Sequence, residues 1–304
     1  CLCIISTLNV AGYLVFASRL PLDAEADVRV YQKRMRFLAA PMVFVCAWRS
    51  VFPNQYLERI TWYGAWPCSI LLQRLLATVA EVCWVSQIAL AVAFIDYRLQ
   101  IHCQHTLESK PCRWIGSTRI VAWLMVGLIC LAELCSDFAT ITGNAIGFFF
   151  EETLWGIAFT VILPYVIRLW LNLRQHSDIR ALGSCCNARR FSALTSCLGL
   201  FYIIWQWLFH VPLEFRQWQN QLREKAEFHE FFQGLWGALT EQHPSRNYAD
   251  WSPYLVWLTG YFSLCVWSSI LLAGAPHIGI DHQRDCLGGN FGEPRLSLAL
   301  FQKK

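Results

Sequence analysis

Inside a long apolar run, Arg74, Thr78 and Glu81 recur four and three positions apart. On a helix they form one polar stripe, which Val85 and Val92 continue in apolar form. Glu81 lies twelve residues into the run that begins at 69, a depth of roughly 18 Å at 1.5 Å per residue. That is near the centre of a bilayer, where ionisable groups are costly and ordinarily face a bundle interior or a wet cavity. The stripe could therefore relay protons or coordinate a substrate. It could equally be an interhelical pair, with Glu81 protonated or bonded to a neighbouring helix and Arg74 matched to a carboxylate. A single carboxylate with no second along its path makes a poor relay, so the structural pair is the preferred expectation.

Four further carboxylates belong to one expected helical hairpin. Glu133 and Asp137 sit one turn apart near the end of one apolar run, and Glu151 and Glu152 open the next across a tight turn at Thr142, Gly143 and Asn144. Hard oxygen ligands in this number could hold a cation. They could also form a solvated acidic rim balancing Arg49, Arg59 or Arg74, which is the expectation in the absence of a fixed ligand spacing. His102, Cys103, His105 and Cys112 are zinc-type residues, but H-C-x-H-x6-C is not a closed zinc spacing. His210 is the one histidine within an apolar run. It is a hydrogen-bonding group or a pigment ligand; two axial haem ligands would need a second histidine at matched depth.

These residues need helices in lipid to position them. The chain has 304 residues, 56% of them hydrophobic and only 15% charged, a composition wrong for soluble domains. Seven apolar segments, near 2–18, 37–52, 69–95, 119–140, 146–168, 191–212 and 252–274, have or approach spanning length. The expected fold is an all-α, polytopic bundle of about seven transmembrane helices over 1–275, followed by an irregular tail over 276–304. The first segment is the weakest, since a residual signal peptide is the competing reading; no basic region precedes it and no A-x-A-like site ends it. Basic residues between the segments divide unevenly. Eighteen fall on one side, here called side A, six on side B, and Arg74 within a span. Cationic loops resist translocation, so side A is expected to be the cis side and the N-terminus to lie on the trans side, B.

Two connections have a pattern of their own. Leu20 to Arg36 is basic and amphiphilic, and suggests a helix on the side-A surface. Between Pro212 and Trp251, Phe215, Trp218, Leu222 and Ala226, then Phe228, Phe232, Leu235 and Leu239, recur near helical spacing. They suggest an interfacial amphipathic helix over 214–239, or else an extension of the sixth span. Trp48, Trp62, Trp66, Trp170, Trp251 and Tyr254 stand near segment ends, where aromatic rings anchor at headgroup level. Of fourteen cysteines, Cys46, Cys83, Cys130, Cys135, Cys197 and Cys265 lie within apolar segments and behave there as small hydrophobes.

Function is the least legible. There is no internal repeat, nucleotide loop, nucleophile elbow or metalloprotease motif. Asp96, Tyr97 and Arg98 stand in the order D-Y-R, not the D-R-Y of heptahelical receptors, and the seventh segment has neither N-P-x-x-Y nor a lysine. The net charge of +4 suits anionic lipid headgroups better than nucleic acid, which is not an expected partner. The leading expectation is a non-catalytic accessory subunit of a larger membrane complex, bound to lipids and other membrane subunits, in the mitochondrial inner membrane or thylakoid. No cofactor is implied beyond bound lipid, and chlorophyll has no motif to support it. The first alternative is a proton- or cation-coupled transporter using Glu81 and the hairpin carboxylates; the second is a receptor or sensor. Enzymatic activity ranks last, for nothing nominates a substrate.

Overall fold

The computed structural model describes residues 2–19, 25–105, 115–175 and 185–278. They form a nearly all-α bundle. α1 (Leu2–Arg19), α2 (Ala26–Val51), α3 (Ile70–His105), α4 (Ile115–Thr142), α5 (Ile146–Gln175) and α6 (Cys185–Trp205) follow one another as spatial neighbours. A π-helical turn, Gln206–His210, joins α6 to α7 (Val211–Arg223) in one continuous rod. α8 (Phe231–Thr240) is short. α9 (Tyr248–Gly260) passes through a second π-helical turn, Tyr261–Cys265, into α10 (Val266–Leu272), and this rod closes the bundle against α1, α2 and α3.

Among the described residues, four helical stretches are long and apolar enough to cross a membrane: Ile70–Ile101, Ser117–Thr142, Ile146–Gln175 and Ala188–Arg223. Leu2–Ser18 and Leu258–Leu272 are apolar but shorter. The surface agrees with a lipid setting. Leu198, Phe201, Leu208 and Phe209 on the outer helix, and Ile120, Leu124 and Leu134 on α4, are exposed, while charged Arg74 and Glu133 are buried. That reversal of the soluble pattern is what a hydrocarbon solvent selects.

Two expected elements are corrected. The stretch from 26 to 36 is the first part of α2, not a separate surface helix, because Val28, Tyr31, Gln32 and Met35 are buried against the bundle. Pro41 does not interrupt this helix. The amphipathic helix over 214–239 is two helices at an angle break. α7 ends at Arg223, Lys225 takes a positive φ of 51°, and α8 starts only at Phe231. α8 turns back onto α3 and α4, and Gly234 permits the close approach to α4; a Cβ there would lie 2.1 Å from the Ile141 carbonyl oxygen.

The α4–α5 hairpin positions the site. Gly143 has φ +72°, a left-handed conformation natural for glycine, and the Asn144 side chain accepts from the Ile146 N–H at 3.0 Å. Gln221 of α7 clamps the turn, accepting from the Ala145 N–H at 2.8 Å and donating to the Gly143 carbonyl at 3.0 Å. The helices then meet at Gly147, where a Cβ would stand 2.4 Å from the Cys135 carbonyl oxygen.

This end of the bundle carries a cap. The loop from 52 to 69 and the segment after α8 are joined by a short parallel pair, β1 (Ile60–Thr61) with β2 (His243–Pro244), and by the Arg59–Glu241 ion pair. At the opposite end, Arg98 is 1% exposed. It makes a two-pronged ion pair with Glu25, a second contact to Asp27 at 3.3 Å and a hydrogen bond to the Ile278 carbonyl at 3.1 Å. The first residues of the expected tail, through Ile278, are thus held; 279–304 lie outside the described residues.

Gly147→Ala is expected to destabilise the protein by about 1–3 kcal/mol through overpacking. Gly127→Ala, with nothing within 4 Å of the new methyl, should be neutral or stabilising by up to about 1 kcal/mol. Thermal unfolding in one detergent compares the two.

Candidate functional site

Arg74 is at the centre. Five residues into α3, its guanidinium is 4% exposed and points across the interface with α4 and α5. Nη2 lies 2.5 Å from Glu133 Oε2, 3.2 Å from Glu151 Oε1 and 3.9 Å from Glu81 Oε2. Nε lies 3.4 Å from Asp137 Oδ1, which also accepts from Thr78 Oγ1 at 3.4 Å. Helical spacing explains the convergence. Arg74, Thr78 and Glu81 share one face of α3, Glu133 and Asp137 share one face of α4, and the short turn brings Glu151 of α5 level with them.

Glu152 does not join this group. It faces the outer helix, one 100° step round α5, where the Gln206 side-chain amide donates to its carboxylate at 2.6 Å and to its backbone carbonyl at 2.7 Å. His210 Nδ1 is 3.2 Å from the same carboxylate. His210 is therefore part of an interhelical polar pair with Glu152. The side chains of His102, Cys103, His105 and Cys112 lie outside the described residues.

Three participants have no obvious signal in the sequence. Tyr261 donates to Glu81 Oε1 at 2.6 Å. The Tyr56 ring lies between two cations, 5.7 Å from Arg74 Cζ and 5.5 Å from Arg49 Cζ, where its face stabilises positive charge. Gln206 holds Glu152. Tyr261 and Gln206 each open a π-helical turn. A π turn holds one residue more than an α turn and so shifts the phase of the helix that follows it, and such turns are frequent at functional sites. Asn9 of α1 supports the second π turn, donating to the Phe262 carbonyl at 2.7 Å.

The charges do not balance. Four carboxylates surround Arg74, and with Arg49 behind Tyr56 counted as well, two negative charges remain uncompensated. In a buried site that excess costs several kcal/mol per ion unless protons or a cation accompany it. Glu81, Glu133 and Glu151 offer oxygens within 4.8 Å of one another, a suitable set for a hard cation. Arg74 Nη2, however, already occupies the point they share. The alternative is a proton. Glu133 Oε1 is buried with no hydrogen-bond partner, and the Glu133 and Glu81 carboxyls approach closely enough to bond once one is protonated. The solvated acidic rim is thus replaced by a buried cluster, because the α4–α5 turn folds Glu133 and Glu151 inward onto Arg74.

No family model, curated protein or solved structure matches the chain.

Arg74→Met is expected to destabilise by about 3–5 kcal/mol, since it strands buried carboxylates without their counter-ion. Glu133→Gln keeps an oxygen for Arg74 and removes excess negative charge, so its unfolding temperature should stay near that of the unaltered protein. Equal losses in the two variants would contradict the charge count.

Proposed function

We propose that the chain is a seven-span membrane transporter coupled to protons, with the Glu81–Glu133 pair as the proton site and Arg74 as its fixed counter-charge. The seven spans are α1, α2, α3, α4, α5, the α6–α7 rod and the α9–α10 rod. The observation that carries the reading is the buried excess of carboxylate around one guanidinium, drawn from three helices. A proton shared between two carboxyls can leave or return with a small rearrangement, because the charge it balances is held in place by Arg74 and Tyr261. That coupling of protonation to helix packing is what a proton-driven carrier uses.

The basic excess on side A supports an orientation with the α4–α5 turn and the cap on side B. A proton-coupled carrier needs a proton gradient, which an energy-transducing membrane provides. The accessory-subunit reading rests on the absence of paired catalytic groups or a repeated transport core, on the abundant aromatic surface and on the basic, irregular flanks; the convergence of four carboxylates on Arg74 favours the transporter over it. The exposed apolar faces, which would suit partner subunits, are equally suited to lipid.

Proton flux into proteoliposomes tests the reading. Flux should be present with the unaltered protein and lost in both Glu81→Gln and Glu133→Gln, while Glu152→Gln, outside the cluster, retains it. Undiminished flux in Glu133→Gln, or none in the unaltered protein under any imposed gradient, would remove the transporter assignment.

A further inference from the structure

The α9–α10 rod and the segment that follows it meet α3 through polar contacts at three levels. Nearest the cap, the Tyr261 hydroxyl donates to Glu81 at 2.6 Å. Midway, the Trp84 indole donates to Ser268 Oγ at 2.8 Å and the Gln87 amide to the Ser269 carbonyl at 3.2 Å. At the side-A end the chain leaves α10, and residues 274–278 turn across the bundle. There Arg98 Nε donates to the Ile278 carbonyl at 3.1 Å, and the Tyr31 hydroxyl of α2 donates to the Pro276 carbonyl at 3.0 Å. Ile278 is fully buried in the main apolar core, which also holds Tyr31, Ile95 and Leu99.

This segment is held against a backbone preference. Ala275 has φ +51°, a left-handed conformation that is unfavourable for any residue bearing a Cβ. Such a conformation persists only where surrounding contacts enforce it, and it recurs in clamps and switches. The enforcing contacts include the two carbonyl hydrogen bonds and the seat of Ile278.

The stronger anchor stands at a water boundary. Arg98 is 1% exposed, whereas its partners Glu25 and Asp27 are 23% and 26% exposed. Loss of those carboxylates leaves a buried guanidinium without its counter-ions, which is strongly unfavourable until water reaches it. The segment bound to the same guanidinium is the part that yields.

We infer that residues 274–278 are a strap that closes the side-A end of the bundle, and that Arg98 is its catch, released when Glu25 and Asp27 let go. The rod carries the strap at one end and the Tyr261 bond to Glu81 nearer the other. Proton transfer at Glu81 and opening at side A are therefore coupled through one continuous helix. That coupling rests on the proton-site reading; the strap itself does not.

Ile278→Cys reports on the strap without altering the catch, because Arg98 binds the backbone carbonyl. In the purified full chain, maleimide labelling with mass spectrometry assigns each modified thiol by residue. The new cysteine should label slowly, and several-fold faster once Glu25→Gln and Asp27→Asn are added. Cys68, fully buried in the cap at the opposite end, should stay protected throughout, which separates opening of the strap from unfolding. Should the charge variants expose Cys68 as well, Tyr31→Phe removes only the hydroxyl that holds Pro276 and should also speed labelling. Labelling no faster in either background than in Ile278→Cys alone would overturn the strap. Glu81→Gln, which leaves the catch intact, should speed labelling too, since an amide oxygen accepts the Tyr261 bond more weakly than a carboxylate. If only the catch variants respond, the strap stands and its coupling to the proton site falls. Proton flux with labelling unchanged in every variant keeps the transporter and removes the strap; faster labelling with no flux in the unaltered protein keeps the strap and removes the transporter.

Discussion

A single guanidinium surrounded by carboxylates organises this molecule. Arg74 cannot leave the apolar interior without exposing its charge to lipid, and Glu133, which is fully buried, cannot remain there without a cation or a proton. Each group is tolerable only because of the other, so the α3–α4–α5 packing is set by electrostatics as well as by shape. Tight helix contact depends on this arrangement too. Gly147 lets α5 approach α4 closely enough for Glu151 to reach the same guanidinium as Glu133.

The outer helices serve this centre through irregularities in their winding. In both the α6–α7 and the α9–α10 rods a π turn falls where a polar side chain must face inward, Gln206 in one and Tyr261 in the other. The local cost of a wider turn is offset by hydrogen bonds to Glu152 and Glu81. The two ends of the bundle are fastened differently. Arg98 binds Glu25 and Asp27 at one end, a closed ion-pair knot around apolar packing, whereas the other end is a loop and a short helix over polar, unsatisfied groups.

Several features were legible from residue order. The α3 stripe of Arg74, Thr78 and Glu81 is recovered because an uninterrupted helix obeys its period. The tight α4–α5 turn follows from Thr-Gly-Asn between two apolar runs, and glycine does take the left-handed conformation there. Glu152 was grouped with Glu151 because adjacency in sequence hides the 100° rotation that sends successive residues to different faces. Hydrophobic spacing over 214–239 continues through a break that it does not signal; the break at Lys225 accompanies the folding of α8 back onto Ile141.

By itself, the sequence determined the solvent and the local elements: apolar length and the scarcity of charge require helices in lipid, and 3.6-residue periodicity decides which side chains share a face. Tertiary structure decided which faces meet. Whether Glu133 is a solvated rim residue or a buried partner of Arg74 depends on distances between helices fifty-nine positions apart in the chain. The hydrogen bonds that Gln206 and Tyr261 make to Glu152 and Glu81 likewise run between helices far apart in the chain. Pairwise electrostatics in a low-dielectric interior changes steeply over a few ångströms, and no spacing within one helix encodes that separation.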